Sequence, residues 1–310
     1  TGSSRAHYEL EKKIAKFKNK PASIVFNSGY QANIGIISAL LKKGDCVFSD
    51  RLNHASIVDG IRLSGAKHFR FRHNDMAHLK ALLEKERDRF NNALIVTETI
   101  FSMDGDIAPV EDIVKLKKKY DCEFMVDEAH ATGIFGKNGS GIIESKKIAD
   151  DIDVIMGTFS KAFGSFGSYA AVSAELREYL INTSRSFIYS TALPISVIEA
   201  NIAAIDVVKN ESYRRKELLS NAKYMRGLLK KEGLPVIGES QIIPLMVKDD
   251  AKALRLSDSL KDKGFWVVPV RPPTVPKGQS RLRISLTYDH NKQVINKFVS
   301  ELVKLEHING

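Results

Sequence analysis

The chain has 310 residues, of which 43% are hydrophobic and 27% charged, with a formal net charge of +10. Length and balance exclude a disordered, collagen-like or disulfide-scaffold polypeptide and leave room for one large domain and a smaller one. The positive charge admits nucleic acid or acidic small molecules as partners. Yet the basic clusters at 11–20, 115–121 and 212–217 alternate with apolar positions at helical spacing and read as solvated helix faces.

No zinc-finger spacing, RNA-binding signature or aromatic-interleaved basic stripe occurs, so neither nucleic acid nor a metal is expected. No run approaches the roughly 18 apolar residues of a membrane span, and no signal peptide opens the chain, so the expected location is cytoplasmic with no membrane partner. Cys46 and Cys122 each fall in an apolar run that reads as a strand, and buried free thiols of a reducing compartment are expected.

In chain order, "FNSGYQANIGIISAL" (26–40) carries Asn27, Ser28 and Gly29 into a helix expected to start near Tyr30. Such a start offers backbone N–H groups to a phosphate, although Asn, Ser and Gly also cap many ordinary helices. A strand at 46–50 runs into "DRLNHASIVDG" (50–60), where His54 could stack on an aromatic ring or simply cap the next helix. Strands follow at 68–73 and 93–99, with a helix at 76–89 between them, and "TETIFSMDGD" (97–106) puts Ser102 before a turn.

A helix at 110–120 precedes a strand at 123–128, and "MVDEAHATG" (125–133) delivers Asp127 and His130 at its end. "FGKNGSG" (135–141) lacks the Gly-Lys-Ser/Thr ending of a phosphate loop and reads as a turn. The next strand, 153–158, leads to "GTFSKAFGSFG" (157–167), and a further strand spans 168–173. Lys161 is the only charged residue of that stretch, and a neutral, partly apolar setting would disfavour its ammonium form and free the amine for imine chemistry.

Strands alternating with amphipathic helices make this an α/β fold with a mostly parallel central sheet. Beyond about residue 195 the rhythm changes to long helices, then strand-like "IIPLMV", "WVVPV" and "RLRISLT" and a closing helix at 291–306. Two domains are expected: a large one over 1–208 and a smaller α+β one over 209–310. Open parallel sheets gather ligands at the carboxyl ends of their strands. A phosphate turn, a stacking ring, a carboxylate for a ring cation and an imine-forming lysine at those ends match the needs of pyridoxal 5'-phosphate.

The runs "NSGYQAN", "DRLNHASIVDG", "IFSMDGDIAP", "VDEAHATGIFG", "TFSKAFG" and "IYSTALP" resemble, in this order, the α-oxoamine synthases of the aspartate-aminotransferase fold, over essentially the whole chain. These pyridoxal phosphate-dependent acyltransferases condense an amino acid with an acyl-CoA or acyl-carrier-protein thioester and lose carbon dioxide. The run "VPVRPPTVPKGQSRLRISLTYDH" (268–290) is more similar to the branch that joins L-alanine to a pimeloyl thioester for biotin than to the branch that joins glycine to acetyl-CoA. A silent scaffold homologue would be expected to lose Lys161 or Asp127, and both are kept.

The resemblance implies that Lys161 forms the imine and acts as base, Asp127 pairs with the pyridinium nitrogen, and His54 stacks on the ring. It implies that His130 and Ser102 hold the ring oxygen side, with Gly29, Tyr30 and Thr158 at the phosphate. Ser190 and Thr191 would reach the phosphate site of the other subunit in a homodimer that shares its active sites. Arg283 would clamp the amino-acid carboxylate, with Thr274 near the substrate. Family members carry several dozen residues before the "TGSSRAHYELEKKIAKF" segment, including an arginine-bearing stretch, and a chain opening at Thr1 is expected to lack them.

Overall fold

The computed structural model describes residues 2–309, with side chains to 306, so Thr1, where the opening motif begins, lies outside it, as does Gly310. The chain divides into two compact units. One takes the residues up to Thr99 together with Ala108–Ser212, the other Ile100–Ile107 together with the residues from Tyr213 on.

In the first unit, helix α1 (Arg5–Lys18) leads to strand β1 (Ala22–Phe26), helix α2 (Gly29–Leu40), β2 (Cys46–Asp50), α3 (Ala55–Ser64) and β3 (Lys67–Phe71). Next come α4 (Met76–Glu86), β4 (Ala93–Glu98), α5 (Val110–Lys119) and β5 (Glu123–Asp127). Then follow α6 (Ile142–Lys146), β6 (Val154–Thr158), β7 (Ser168–Val172), α7 (Ala174–Thr183), α8 (Arg185–Ile188) and α9 (Ile195–Asn210). Side chains of Ser28, Asp75 and Ser173 accept the N–H three residues on, which fixes the starts of α2, α4 and α7.

The strands form one seven-stranded sheet in the order β1-β7-β6-β5-β4-β2-β3. The pairs from β6 through β3 are parallel, and β7 is antiparallel to both its neighbours. Ile24, Val96, Met125, Val154 and Ala170 cover one sheet face with Ala32, Ile36, Ile37 and Ile57 of α2 and α3, all fully or nearly fully buried. This is the apolar surface whose removal from water, at roughly 25 cal/mol per Å², drives the layers together.

The expected strands are present, within a residue or two at their ends, and β1 is an addition. Its "ASIVF" is a short run without polar alternation, and pairing with β7 from Ala22↔Val172 to Phe26↔Ser168 makes it a strand. The helix expected over 76–89 ends at Glu86 and tightens into a 3-10 turn, Arg87–Arg89. Cys122 lies one residue before β5 rather than in it; it and Cys46 are free, buried thiols. Burial pushes the Cys46 thiol up to about 12 and the Cys122 thiol up to about 11.

In the second unit, α10 (Ser212–Lys231) precedes β8 (Ile242–Lys248), α11 (Asp250–Asp262), β9 (Val268–Val270), β10 (Ser280–Ser285) and α12 (Lys292–Asn309). A three-stranded antiparallel sheet runs β8-β10-β9. Trp266 falls outside β9 and is 79% exposed, so the strand expected over 266–270 is shorter. Segment 100–107 turns back on itself through Phe101 N–H to Asp106 O (3.2 Å) and bonds to this unit through Glu239 N–H to Gly105 O (2.9 Å). An ion pair between Arg281 and Asp104 adds to it.

Two of the basic clusters are not wholly solvated faces: Arg215 is buried, and so is Lys18. Lys18 ends α1 with its ammonium 2.7 Å from Glu128 Oε2 and 2.9 Å from Thr132 Oγ1, and it also donates to Ser140 O. The Tyr169 ring lies 5.5 Å away, and Glu128 Oε1 accepts from Ile143 N–H at 2.9 Å. Burial works to lower the Lys18 pKa, but Glu128 and Tyr169 outweigh it and the net shift is upward.

Breaking one half of such a pair strands a charge in the interior. Lys18→Met therefore destabilises the fold by about 3–5 kcal/mol in urea unfolding, and adding Glu128→Gln, which keeps an acceptor for Ile143, recovers part of the loss. A raised folded pKa stabilises fully below the unfolded value of 10.5 and less as pH climbs through the folded value. The gap between wild type and Lys18→Met accordingly holds at neutral pH and narrows only in strong alkali.

Candidate active site

Parallel pairing places the carboxyl ends of β2, β4, β5 and β6 along one edge, with Glu98 opposite Asp127 and Asp127 opposite Met156. A cleft of about 190 Å³ opens there, and Gly29, Tyr30, His54, Asp127, His130, Thr158 and Lys161 all line it. The sequence expectation that these residues converge is thus met by the fold.

Asp127 is the last residue of β5 and only 6% exposed. Its Oδ1 accepts from Ala129 N–H at 2.8 Å, which turns the chain and sends His130 to the cleft. Its Oδ2 accepts from Asn33 Nδ2 at 3.0 Å. The backbone around it is committed too: Thr99 N–H donates to Asp127 O (2.9 Å) and Glu128 N–H to Met156 O (2.8 Å).

His54 caps α3: its Nδ1 accepts from Ser56 N–H at 3.2 Å. The cap role is therefore filled, and the ring still borders the cleft. The turn before it is pinned to β4 by Asn53, whose amide donates to Val96 O (2.8 Å) and accepts from Glu98 N–H (3.2 Å). His54 N–H in turn donates to Glu98 Oε1 at 2.7 Å.

Helix α2 starts at Gly29, one residue before expectation, with Ser28 Oγ accepting from Gln31 N–H at 3.2 Å. Gly29 and Tyr30, its first two residues, line the cleft at the end where a helix leaves N–H groups unpaired. The Tyr30 hydroxyl is engaged outward, donating to Asp59 at 2.6 Å.

Lys161 stands three residues past β6 and is exposed, contrary to the partly apolar setting expected from its neighbours. The phenylalanines point elsewhere: Phe159 and Phe163 are buried, at 0% and 8%, and Phe166 is 53% exposed. Among the described residues, the Lys161 ammonium makes no hydrogen bond or ion pair. Its loop is nonetheless held, because Phe159 N–H donates to Gly167 O (2.9 Å) and Gly164 N–H to Lys161 O (3.0 Å). At Gly167, φ is +99° and an added Cβ would lie 2.7 Å from Leu193 Cδ1, so only glycine closes this loop.

Thr158 donates its hydroxyl to Gly167 O at 2.9 Å and accepts from Ser160 N–H at 3.2 Å. Its hydrogen is spent on the loop, and the exposed hydroxyl at the cleft is that of Ser160, 2.8 Å from it. Ser160, Asn33, Ser56 and Glu98 also line the cleft, and sequence reasoning missed them. Asn33 is an interior helix position, Ser56 sits in the first turn of α3 where a serine is ordinary, and Glu98 reads as the polar end of a strand.

Ser190 and Thr191 do not join this cleft but line a separate hollow with Ser3, His7 and Asn27. Gln31 Nε2 donates to Ser190 Oγ (3.2 Å) and Asn27 Nδ2 to Thr191 O (2.7 Å). Ser102, Thr274 and Arg283 belong to the second unit. There Arg283 Nε donates to Ser102 O (2.6 Å) and Nη1 to Ser285 Oγ (2.8 Å), and Thr274 sits exposed on a turn closed onto Arg271 O (3.0 Å). Burial lowers the Arg283 pKa, and among the described residues no carboxylate faces its guanidinium.

No group of His, Cys, Asp and Glu among the described residues could hold a metal ion, and no described helix is long and apolar enough to cross a membrane.

Comparison with known proteins places the chain in a family. The family described as aminotransferase class I and II matches residues 1–302. An 8-amino-7-oxononanoate synthase of Geotalea daltonii is 46% identical over 305 residues, covering 97% of this chain and 78% of its own. Serine palmitoyltransferase of Sphingomonas wittichii superposes with a TM-score of 0.95 at 32% identity, covering 100% of this chain and 78% of that one. The 8-amino-7-oxononanoate synthase of Francisella tularensis does so at 0.88 and 31%, covering 99% and 89%. The chain belongs to the aminotransferase class I and II family, within its α-oxoamine synthase branch.

Proposed function

We propose that the chain is a pyridoxal 5'-phosphate-dependent acyltransferase that condenses L-alanine with a pimeloyl thioester, with loss of carbon dioxide. Its product would be 8-amino-7-oxononanoate, the compound that names its relatives. One observation carries the reading: a buried carboxylate, an unpartnered amine, an imidazole and a helix start border a single cleft. Pyridoxal phosphate fits that set, since each of its ends meets a group of matching charge.

When bound, the cofactor supplies an electrophilic carbon and an electron sink. Asp127 holds a proton at the ring nitrogen, and its buried place between two donors keeps it aimed there. The N–H groups of Gly29 and Tyr30 take the phosphate, with the hydroxyls of Ser160 and Thr158 beside it. His54 would pack on the ring, and His130 would serve its oxygen side.

Lys161 would hold the cofactor, and its amine would take the proton from the α-carbon of the amino acid and return one to the product carbon. Arg283 clamps the amino-acid carboxylate through paired donors, with Thr274 near the substrate. Ser190 and Thr191 serve the phosphate site of the partner subunit in a homodimer. The two buried thiols suit a reducing cytoplasm.

Purified protein given pyridoxal phosphate, L-alanine and pimeloyl-CoA is expected to release free thiol and carbon dioxide together. Turnover confined to glycine with acetyl-CoA would overturn the substrate assignment. Lys161→Ala is expected to lower turnover by at least about 10³-fold, as loss of a base and its covalent anchor together demands. The same variant loses the cofactor absorbance that borohydride fixes to the wild-type chain; borohydride-fixed absorbance surviving in it would remove Lys161 from its role.

A further inference from the structure

We propose that Asn33 and Ser56 are positioning residues that hold His54 in a single tautomer, with its ring proton on Nε2. The functional weight of this assignment rests on the cofactor reading above, whereas the tautomer itself follows from hydrogen bonding within the chain.

Four side chains stand in line. Asp127 Oδ2 lies 3.0 Å from Asn33 Nδ2, which lies 2.9 Å from Ser56 Oγ, which lies 2.8 Å from His54 Nδ1. Asn33 and Ser56 are each 1% exposed, so water does not stand in for a missing partner. Chemistry fixes the direction of each link. A carboxylate oxygen accepts, so Asn33 must turn its NH2 toward Asp127; the flipped amide would set one oxygen against another.

The second hydrogen of that NH2 then goes to Ser56 Oγ. With its oxygen accepting from Asn33, Ser56 sends its own hydrogen to His54 Nδ1. The Ser56 backbone N–H donates to the same nitrogen at 3.2 Å. Nδ1 thus receives two donors, which leaves it no room for a proton and puts the ring N–H on Nε2.

The arrangement has a visible cost. Asn33 Oδ1 is buried and finds no partner among the described residues. An orphaned amide oxygen is unfavourable, and it is tolerated here because the other orientation would break two bonds and oppose a carboxylate. Through this line Asp127, at the end of β5, decides which nitrogen of His54, at the start of α3, offers a donor to whatever lies in the cleft.

The test reads the tautomer directly. In a long-range proton–nitrogen spectrum of cofactor-free, histidine-labelled protein, His54 is assigned by loss of its signals in His54→Gln. Wild type is expected to show an unprotonated Nδ1 and a protonated Nε2. Ser56→Ala, which leaves Nδ1 only the longer backbone N–H bond, and Asn33→Asp, which turns the Ser56 hydroxyl toward a carboxylate, are expected to move the ring signals toward the average of a two-tautomer mixture, and Ser56→Thr to restore the wild-type pattern.

A proton on Nδ1 in the wild type, or a single tautomer that survives both link-breaking variants, would overturn the proposal. Should Asn33→Asp fail to fold, Ser56→Ala, which removes one oxygen, still decides it. With pyridoxal phosphate added, Ser56→Ala is expected to bind it several-fold more weakly and Ser56→Thr as wild type does. The spectrum needs no cofactor, so a wild type that binds none would count against the proposed function alone.

Discussion

A slip of one residue in β5 would misplace two buried acids. Asp127 and Glu128 are neighbours, and successive side chains along an extended strand leave on opposite faces. Asp127 meets Asn33 of α2, and Glu128 meets Lys18 of α1, each with its own donors. A slip one way would set Ala129 against the Lys18 ammonium, and a slip the other way would set Val126 against the Asn33 amide; either leaves a buried donor unmatched, and an unpaired buried charge costs several kcal/mol. The two faces of the sheet thus lock the register between them. β4 and β6 flank β5 in step, so the same lock sets Glu98, hence His54, on one side and the loop of Lys161 on the other.

The groups that hold and the groups that react are separated by burial. Asp127, Glu128, Asn33 and Ser56 are buried and hydrogen-bonded, which leaves them little freedom. Lys161 is exposed, and its side chain is free although its loop is clasped at both ends by backbone bonds. A rigid frame around an unengaged amine is what the role proposed for Lys161 requires, because a partnered ammonium would first have to be released.

The sequence disclosed those parts of the site that sit where a pattern ends. Asp127, Lys161 and His54 each follow an apolar strand, and Gly29 follows a capping residue, so the change of pattern marks them. Asn33, Ser56 and Glu98 sit inside helices or at a strand's last position, where a polar residue is unremarkable until its neighbours in space are known. Lys18 was hidden by its company: in "EKKIAKFKNK" it looks like one more solvated cation, and only the turn after β5 makes it a buried one. The strand β1 was hidden in another way, since five residues acquire strand form from their partner β7 and not from any alternation of their own. The exposed Lys161 shows the opposite error, because flanking phenylalanines describe a sequence neighbourhood and here two of them turn inward, away from the amine.

Under the proposed function, helix α2 explains why these pieces suit one kind of ligand. Gly29 begins it, and Asn33 follows four residues later on the same face. At 1.5 Å of rise per residue, the two stand about 6 Å apart along the axis. One end of that interval offers unpaired N–H groups to an anion, and the other aligns the Asp127 carboxylate through the Asn33 amide. A single turn of helix therefore sets an attractor for negative charge and an attractor for a protonated nitrogen at a fixed spacing. A small flat molecule with an anion at one end and a basic ring nitrogen at the other satisfies both at once, whereas a bare phosphate satisfies only the first. Under the proposed function, specificity at this level comes from the length of one helical turn, and the exposed amine of Lys161 is free to act on what that turn selects.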